Sequence, residues 1–155
     1  YKAAATSIQL GATKMLNGRD LKADEFTFVL KDKDGKVVSE ALNTANGLIQ
    51  FDKLNFDEVG TYQYTIAEVS GSDETVTYDN SVFTATVNVT DDGKGNLNAE
   101  VVYDKTPVFT NEVKAKDPSS VETDDKYGYE YLGALTISML GGMALYAQRK
   151  KRVIK

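Results

Sequence analysis

The 155-residue sequence contains no cysteine and no histidine. Without cysteine there are no disulfides of the kind that staple small secreted domains, no thiolate zinc sites and no thiol nucleophile. Without histidine the usual general base and the commonest metal ligand are gone, and with them every Ser-His-Asp or Cys-His arrangement. Acid-base chemistry is left to carboxylates, lysine and tyrosine. No cofactor and no metal are expected, and no glycine-rich phosphate loop is present. A hydrolase using Glu68 and a second carboxylate would need a cleft, which a packed β interior does not provide. A turnover enzyme is therefore a poor fit to this composition.

The net charge of -5 is unevenly distributed. Arg149, Lys150, Lys151, Arg152 and Lys155 place +5 in residues 149–155, which leaves -10 for residues 1–148. A body this acidic repels phosphates, so nucleic acid is not an expected partner. The chain starts at Tyr1 with no signal peptide and reads as the mature or excised C-terminal portion of a longer protein.

Between Thr6 and Lys114 the sequence is a succession of short runs that alternate apolar and polar residues, the period of a half-buried strand. Phe26, Phe28 and Leu30 share one face; Phe83, Ala85, Val87 and Val89 share another, and Leu97, Ala99, Val101 and Tyr103 a third. Turn signals separate the runs at Asn17-Gly18, Asp34-Gly35, Asn46-Gly47, Gly71-Ser72 and Asp92-Gly93. Seven to nine such strands, with no amphipathic helix, predict an all-β antiparallel sandwich over residues 1–114.

The remainder changes character. Residues 115–130 are polar and read as an extended linker. Residues 131–148 then form an apolar segment, uncharged from Tyr131 to Ala147, with Tyr127, Tyr129 and Tyr131 at its start and the basic residues 149–155 behind it. A C-terminal membrane helix with interfacial tyrosines is the expectation, the basic tail in the cytoplasm and the sandwich outside.

Three polar residues interrupt the apolar phase of the strands. Ile8, Leu10, Ala12, Lys14 and Leu16 share a face, as do Tyr62, Tyr64, Ile66 and Glu68, and likewise Phe109, Asn111 and Val113. An isolated buried charge is so costly that it loses its charge or finds a partner, so three such groups of complementary chemistry are expected to meet. Two outcomes are open. One is a buried Lys14–Glu68 ion pair with Asn111 as a hydrogen-bonding neighbour. In the other, desolvation favours a neutral amine and a neutral acid; Lys14 attacks the Asn111 carboxamide, Glu68 bonds the carbonyl and shuttles protons, and ammonia leaves.

The runs Thr13-Lys14-Met15-Leu16-Asn17-Gly18-Arg19-Asp20-Leu21, Glu25-Phe26-Thr27-Phe28, Gly60 to Val69, Thr77-Tyr78-Asp79 and Pro107-Val108-Phe109-Thr110-Asn111 occur in this order. Over roughly Thr6 to Val113 the chain resembles the streptococcal pilin isopeptide-linkage domain of Gram-positive major pilins and surface stalks. The resemblance implies an immunoglobulin-like sandwich with a self-generated bond between Lys14 and Asn111, assisted by Glu68 as the catalytic acid. It also implies a place on the bacterial cell surface, with other pilin or surface-protein modules as partners. An adhesin domain that binds a host protein or glycan is the alternative.

The tail resembles a sortase-dependent wall-sorting signal, which makes a sortase a further expected partner. Leu-Pro-any-Thr-Gly is absent, and the corresponding window reads Ser119-Ser120-Val121-Glu122-Thr123-Asp124-Asp125. That leaves an altered sorting motif or a plain membrane anchor through residues 131–148. Asp91-Asp92-Gly93-Lys94-Gly95-Asn96 lacks the spacing and the closing glutamate of a calcium loop and reads as a hairpin. Arg19, Asp20, Asp24 and Glu25 read as surface charges beside a turn.

Overall fold

The computed structural model describes residues 1–115, and every regular element within them is a strand. In chain order these are β1 (Thr6–Asn17), β2 (Thr27–Asp32), β3 (Val37–Leu42), β4 (Leu48–Phe56) and β5 (Gly60–Glu68), followed by β6 (Val76–Thr77), β7 (Val82–Asp91), β8 (Leu97–Tyr103) and β9 (Val108–Val113). They form two sheets, one ordered β4-β1-β9-β6 and the other β3-β2-β5-β7-β8. This is a two-layer sandwich of the immunoglobulin-like kind, whose core is made where the inner faces meet. The linker, the apolar helix and the basic tail expected after residue 115 lie outside the described residues.

The alternation works as the sequence predicts. Leu10, Ala12 and Lys14 of β1 are buried while Gln9, Thr13 and Met15 face outward, and in β7 Phe83, Ala85, Val87 and Val89 all point inward. Phe109 of β9 is the wedge between the layers. Its ring lies 4.9 Å from that of Phe83 and 5.2 Å from that of Phe28, both carried by the opposite sheet. Burying a side chain of this kind contributes about 1.5–3 kcal/mol.

One expectation is corrected. The sandwich is not antiparallel throughout: β1 and β9 run parallel, with Lys14 opposite Phe109 and Leu16 opposite Asn111. Strand direction leaves no trace in the period-two pattern, because parallel and antiparallel half-buried strands alternate alike. The parallel register has a consequence for the site, since it puts Lys14 and Asn111 on one face of neighbouring strands, two residues out of step.

β9 is central in its sheet, yet its second neighbour, β6, is only two residues long. The ladder between them consists of Val76 opposite Val113 and Thr77 opposite Glu112. Past that point the flank of β9 is met by the segment 78–81, which is not a strand.

Four of the five turn signals carry a glycine at positive φ; Gly71 does not, and is instead crowded by the Tyr78 hydroxyl. Gly47 matters most. At φ 92° its carbonyl accepts the Lys14 N–H at 2.7 Å, and a Cβ there would collide with the Lys14 carbonyl oxygen. Gly47→Ala is therefore expected to destabilise the domain by about 2–3 kcal/mol, combining left-handed strain with the clash. Gly35→Ala, at φ 84° with open space around the added methyl group, should cost only about 1 kcal/mol. Urea midpoints of the two variants compare them directly.

Candidate functional site

The backbone register brings the three in-phase polar residues together from both layers. Lys14 and Asn111 come from β1 and β9 of one sheet. Glu68, the last residue of β5 and the partner of Phe28, reaches across from the other. Lys14 and Asn111 are 2% and 0% exposed, and the Lys14 and Glu68 side chains are fully sequestered. Lys14 Nζ lies 3.0 Å from Glu68 Oε2, and Asn111 Nδ2 donates to the same oxygen at 2.8 Å. Glu68 Oε1 has no hydrogen-bond partner.

The surroundings are apolar. Lys14 Nζ sits 4.5 Å from the centre of the Phe26 ring and 5.9 Å from that of Phe28. Burial pushes the Lys14 amine below its ordinary value; Glu68, and more distantly Asp79 and Glu25, pull the other way without restoring it. The amine is thus held closer to its neutral form than any surface lysine would be. A proton can pass between Lys14 and Glu68, and between Glu68 and the Asn111 amide nitrogen, through a single oxygen atom.

The Asn111 carboxamide is oriented differently from the sequence-based expectation. That expectation has Glu68 bonding its carbonyl; here Glu68 meets the nitrogen, and Asn111 Oδ1 accepts the main-chain N–H of Asp79 at 2.7 Å. The orientation follows from the partners, because a main-chain N–H can only donate and therefore faces the oxygen.

Sequence reasoning assigned no role to two other residues of the site. Asp79 is one. The other is Asn43, which is fully buried and has all its polar capacity in use: Oδ1 accepts from the N–H groups of Glu25 and Phe26, and Nδ2 donates to the carbonyls of Lys22 and Thr44. It fixes the segment that lays the Phe26 ring against Lys14. No periodicity signals Asn43, since it follows β3 in a loop. Asp79, by contrast, lies within one of the five quoted motifs.

The charges near the first turn are more organised than expected. The Arg19 guanidinium engages both carboxylate oxygens of Glu25, which lowers the Glu25 carboxyl below its ordinary range. In the 91–96 hairpin the carboxylates are taken up by the turn itself, Asp91 by the Gly93 N–H and Asp92 by those of Lys94 and Asn96.

Residues 10–114 match the family model FctA, described as the Spy0128-like isopeptide-containing domain. No curated protein matches the chain. Among solved structures, it is similar to the major pilin protein T-13 of Streptococcus pyogenes, with a TM-score of 0.53 and 20% identity, over 72% of this chain and 55% of that one. A further major pilin of Streptococcus pyogenes aligns at a TM-score of 0.47 and 18% identity, over 68% of this chain and 50% of the other. The chain thus spans about half the length of these pilins, and at such identity the likeness concerns the fold. The match to the family covers most of the chain and contains all three site residues: this protein belongs to the Spy0128-like isopeptide-containing domain family.

Proposed function

We propose that residues 1–114 form a structural module of a Gram-positive pilus or surface stalk, and that it closes one intramolecular isopeptide bond between Lys14 and Asn111 with Glu68 as the acid-base partner. The observation that carries this reading is that the lysine amine and the asparagine amide share one carboxylate oxygen in a dry interior. Family membership supports it independently.

The chemistry is balanced without any external reagent. A proton moves from the Lys14 ammonium to Glu68, leaving a neutral amine and a neutral acid. The amine attacks Cγ of Asn111 and forms the C–N bond, and the carbonyl electrons move to Oδ1. Glu68 gives its proton to Nδ2 and then, as a carboxylate again, takes the surplus proton from Nζ, and collapse of the intermediate breaks the Cγ–Nδ2 bond and expels ammonia. The reaction occurs once, because the domain consumes its own side chains. Close placement makes it unimolecular, which is what renders an otherwise inert amide attackable.

The product ties neighbouring parallel strands at opposite ends of the domain. Closing so long a loop restricts the unfolded chain and, in the chain-entropy description, contributes about 4–5 kcal/mol. Tension applied through β1 and β9 then runs along a covalent path, so it cannot peel the sheets apart. The apolar residues 131–148 and the basic residues 149–155 suit a membrane-held tail after the linker 115–130, with sortase attachment as its elaboration and neighbouring pilin modules as partners.

The intact mass of the purified chain should be lower than the sequence mass by one ammonia. Glu68→Ala should keep the full mass and unfold at a lower temperature, losing the crosslink and leaving Lys14 buried without a counter-charge. A wild-type chain at its full sequence mass rules the crosslink out.

The rate of ammonia loss should also depend on pH in a defined way. The reactive pair holds one proton between Lys14 and Glu68, with Asp79 and Glu25 as the other charges acting on the amine. The rate should therefore fall in alkali, as the pair loses the proton that it shares. Since burial lowers Lys14, the alkaline fall should come at a lower pH than the titration of an exposed lysine. Mass spectrometry follows it on chain that has never folded, made by chemical synthesis, kept in urea and then diluted into native buffers.

A further inference from the structure

The Thr77-Tyr78-Asp79 run wraps the flank of β9 where the β6 ladder ends. Thr77 makes the last backbone pair, with Glu112. The Tyr78 ring packs edge-on against Phe26, the ring that faces the Lys14 amine, at 6.1 Å between centres. Asp79 then makes two hydrogen bonds of opposite sense with consecutive residues of β9. Its N–H donates to Asn111 Oδ1 at 2.7 Å, and its Oδ2 accepts the Thr110 N–H at 2.7 Å. Its other oxygen accepts the N–H of Ser81 at 2.8 Å.

Resting on the crosslink reading above, we propose that Asp79 is the positioning residue of the reaction: its main-chain N–H receives the negative charge that develops on Asn111 Oδ1, and its side chain clamps that N–H in place. The attack of Lys14 on Cγ turns Oδ1 into an oxyanion. The Asp79 N–H is the donor it meets among the described residues, already at bonding distance from a fully buried Asn111 side chain, and a preorganised donor needs no reorganisation as the charge develops. Glu68 meets the nitrogen end of the amide through Oε2, and its Oε1 makes no hydrogen bond to Asn111 Oδ1. The reciprocal bond from Thr110 anchors Asp79 to the residue next to Asn111, so donor and acceptor move as one unit. The same contact selects the reactive face: with Oδ1 held toward Asp79, the leaving nitrogen is turned toward the acid.

The clamp has an electrostatic side effect that makes it testable. Burial works against ionisation of Asp79, but hydrogen bonds from Ser81 and Thr110, together with the Lys14 charge, hold its carboxyl below the ordinary range. The resulting anion favours the protonated form of Lys14, as do Glu68 and Glu25. Removing it should therefore slow the reaction while moving its alkaline limit to lower pH. Loss of fold alone would not produce that pair of effects.

Wild type, Asp79→Asn and Asp79→Ala, all as the full chain, would be made by chemical synthesis and kept in urea so that none has yet folded, then diluted into buffer and their ammonia loss followed by intact mass across pH. Near-ultraviolet circular dichroism would select conditions under which each is fully folded, and Asn, which cannot accept both N–H groups, covers the case in which Ala does not fold. We expect both variants to lose ammonia about tenfold or more slowly at the plateau, below the full effect of deleting an oxyanion donor because the N–H itself remains. The alkaline limb should shift to lower pH. If the folded variants react within about twofold of wild type, or slow down with the limb unmoved, the assignment of Asp79 is overturned while the crosslink stands. If wild type itself never loses ammonia, the crosslink reading falls and Asp79 with it.

Discussion

A lysine amine held out of water between two sheets is the constraint around which this domain is arranged. Moving an ammonium from solvent into a protein interior costs several kcal/mol unless partners compensate. Here the compensation comes from one carboxylate oxygen and two aromatic faces. Each must come from a different part of the chain: Glu68 from the opposite layer, Phe28 beside it on β2, and Phe26 from the segment pinned by Asn43. A conventional apolar core at these positions would stabilise the fold as well or better. Under the proposed crosslink, the same desolvation that burdens the free amine would also make it a nucleophile.

The arrangement also accounts for features that look incidental one at a time. The parallel pairing of β1 and β9 sets Lys14 and Asn111 on a common face. The short β6 ends the ladder early and frees the chain at 78–81 to turn its main chain toward the Asn111 side chain. The close approach of Gly47 to the Lys14 backbone fixes the height of the lysine along its strand. The unpartnered Glu68 Oε1 concentrates all the hydrogen bonding of this carboxylate on its other oxygen, where both nitrogens meet. A buried polar network of this sort is specific because each partner has few alternatives.

The proposed single-turnover reaction would give a protein whose product is its own stability. Cysteine-free chains cannot use disulfides, and an amide crosslink is indifferent to the redox conditions that limit them. A module in a fibre is loaded along its chain direction, and the proposed tie between first and last strands would lie on that path. Family membership and the sandwich agree with such a role.

Much of this was legible in the amino-acid order because period two is a local property. The inward phases of β1, β5 and β9, and the intrusion of Lys14, Glu68 and Asn111 into them, follow from which residues alternate; Leu10, Ala12, Ile66, Phe109 and the three polar residues are buried, while Tyr62, Tyr64 and Val113 are half-buried. The turns followed from Asn-Gly and Asp-Gly, with Gly71 the exception because crowding by Tyr78 rather than positive φ governs it. What the sequence by itself determined, then, is that the fold is a β sandwich and that three polar groups of complementary chemistry face its interior. Only the tertiary structure decided strand direction, the one oxygen on which two nitrogens converge, the rotation of the Asn111 amide and the hydrogen bonds made by Asp79 and Asn43. These depend on hydrogen bonds between residues tens of positions apart, set by how the layers pack, and no pattern along a single strand encodes them.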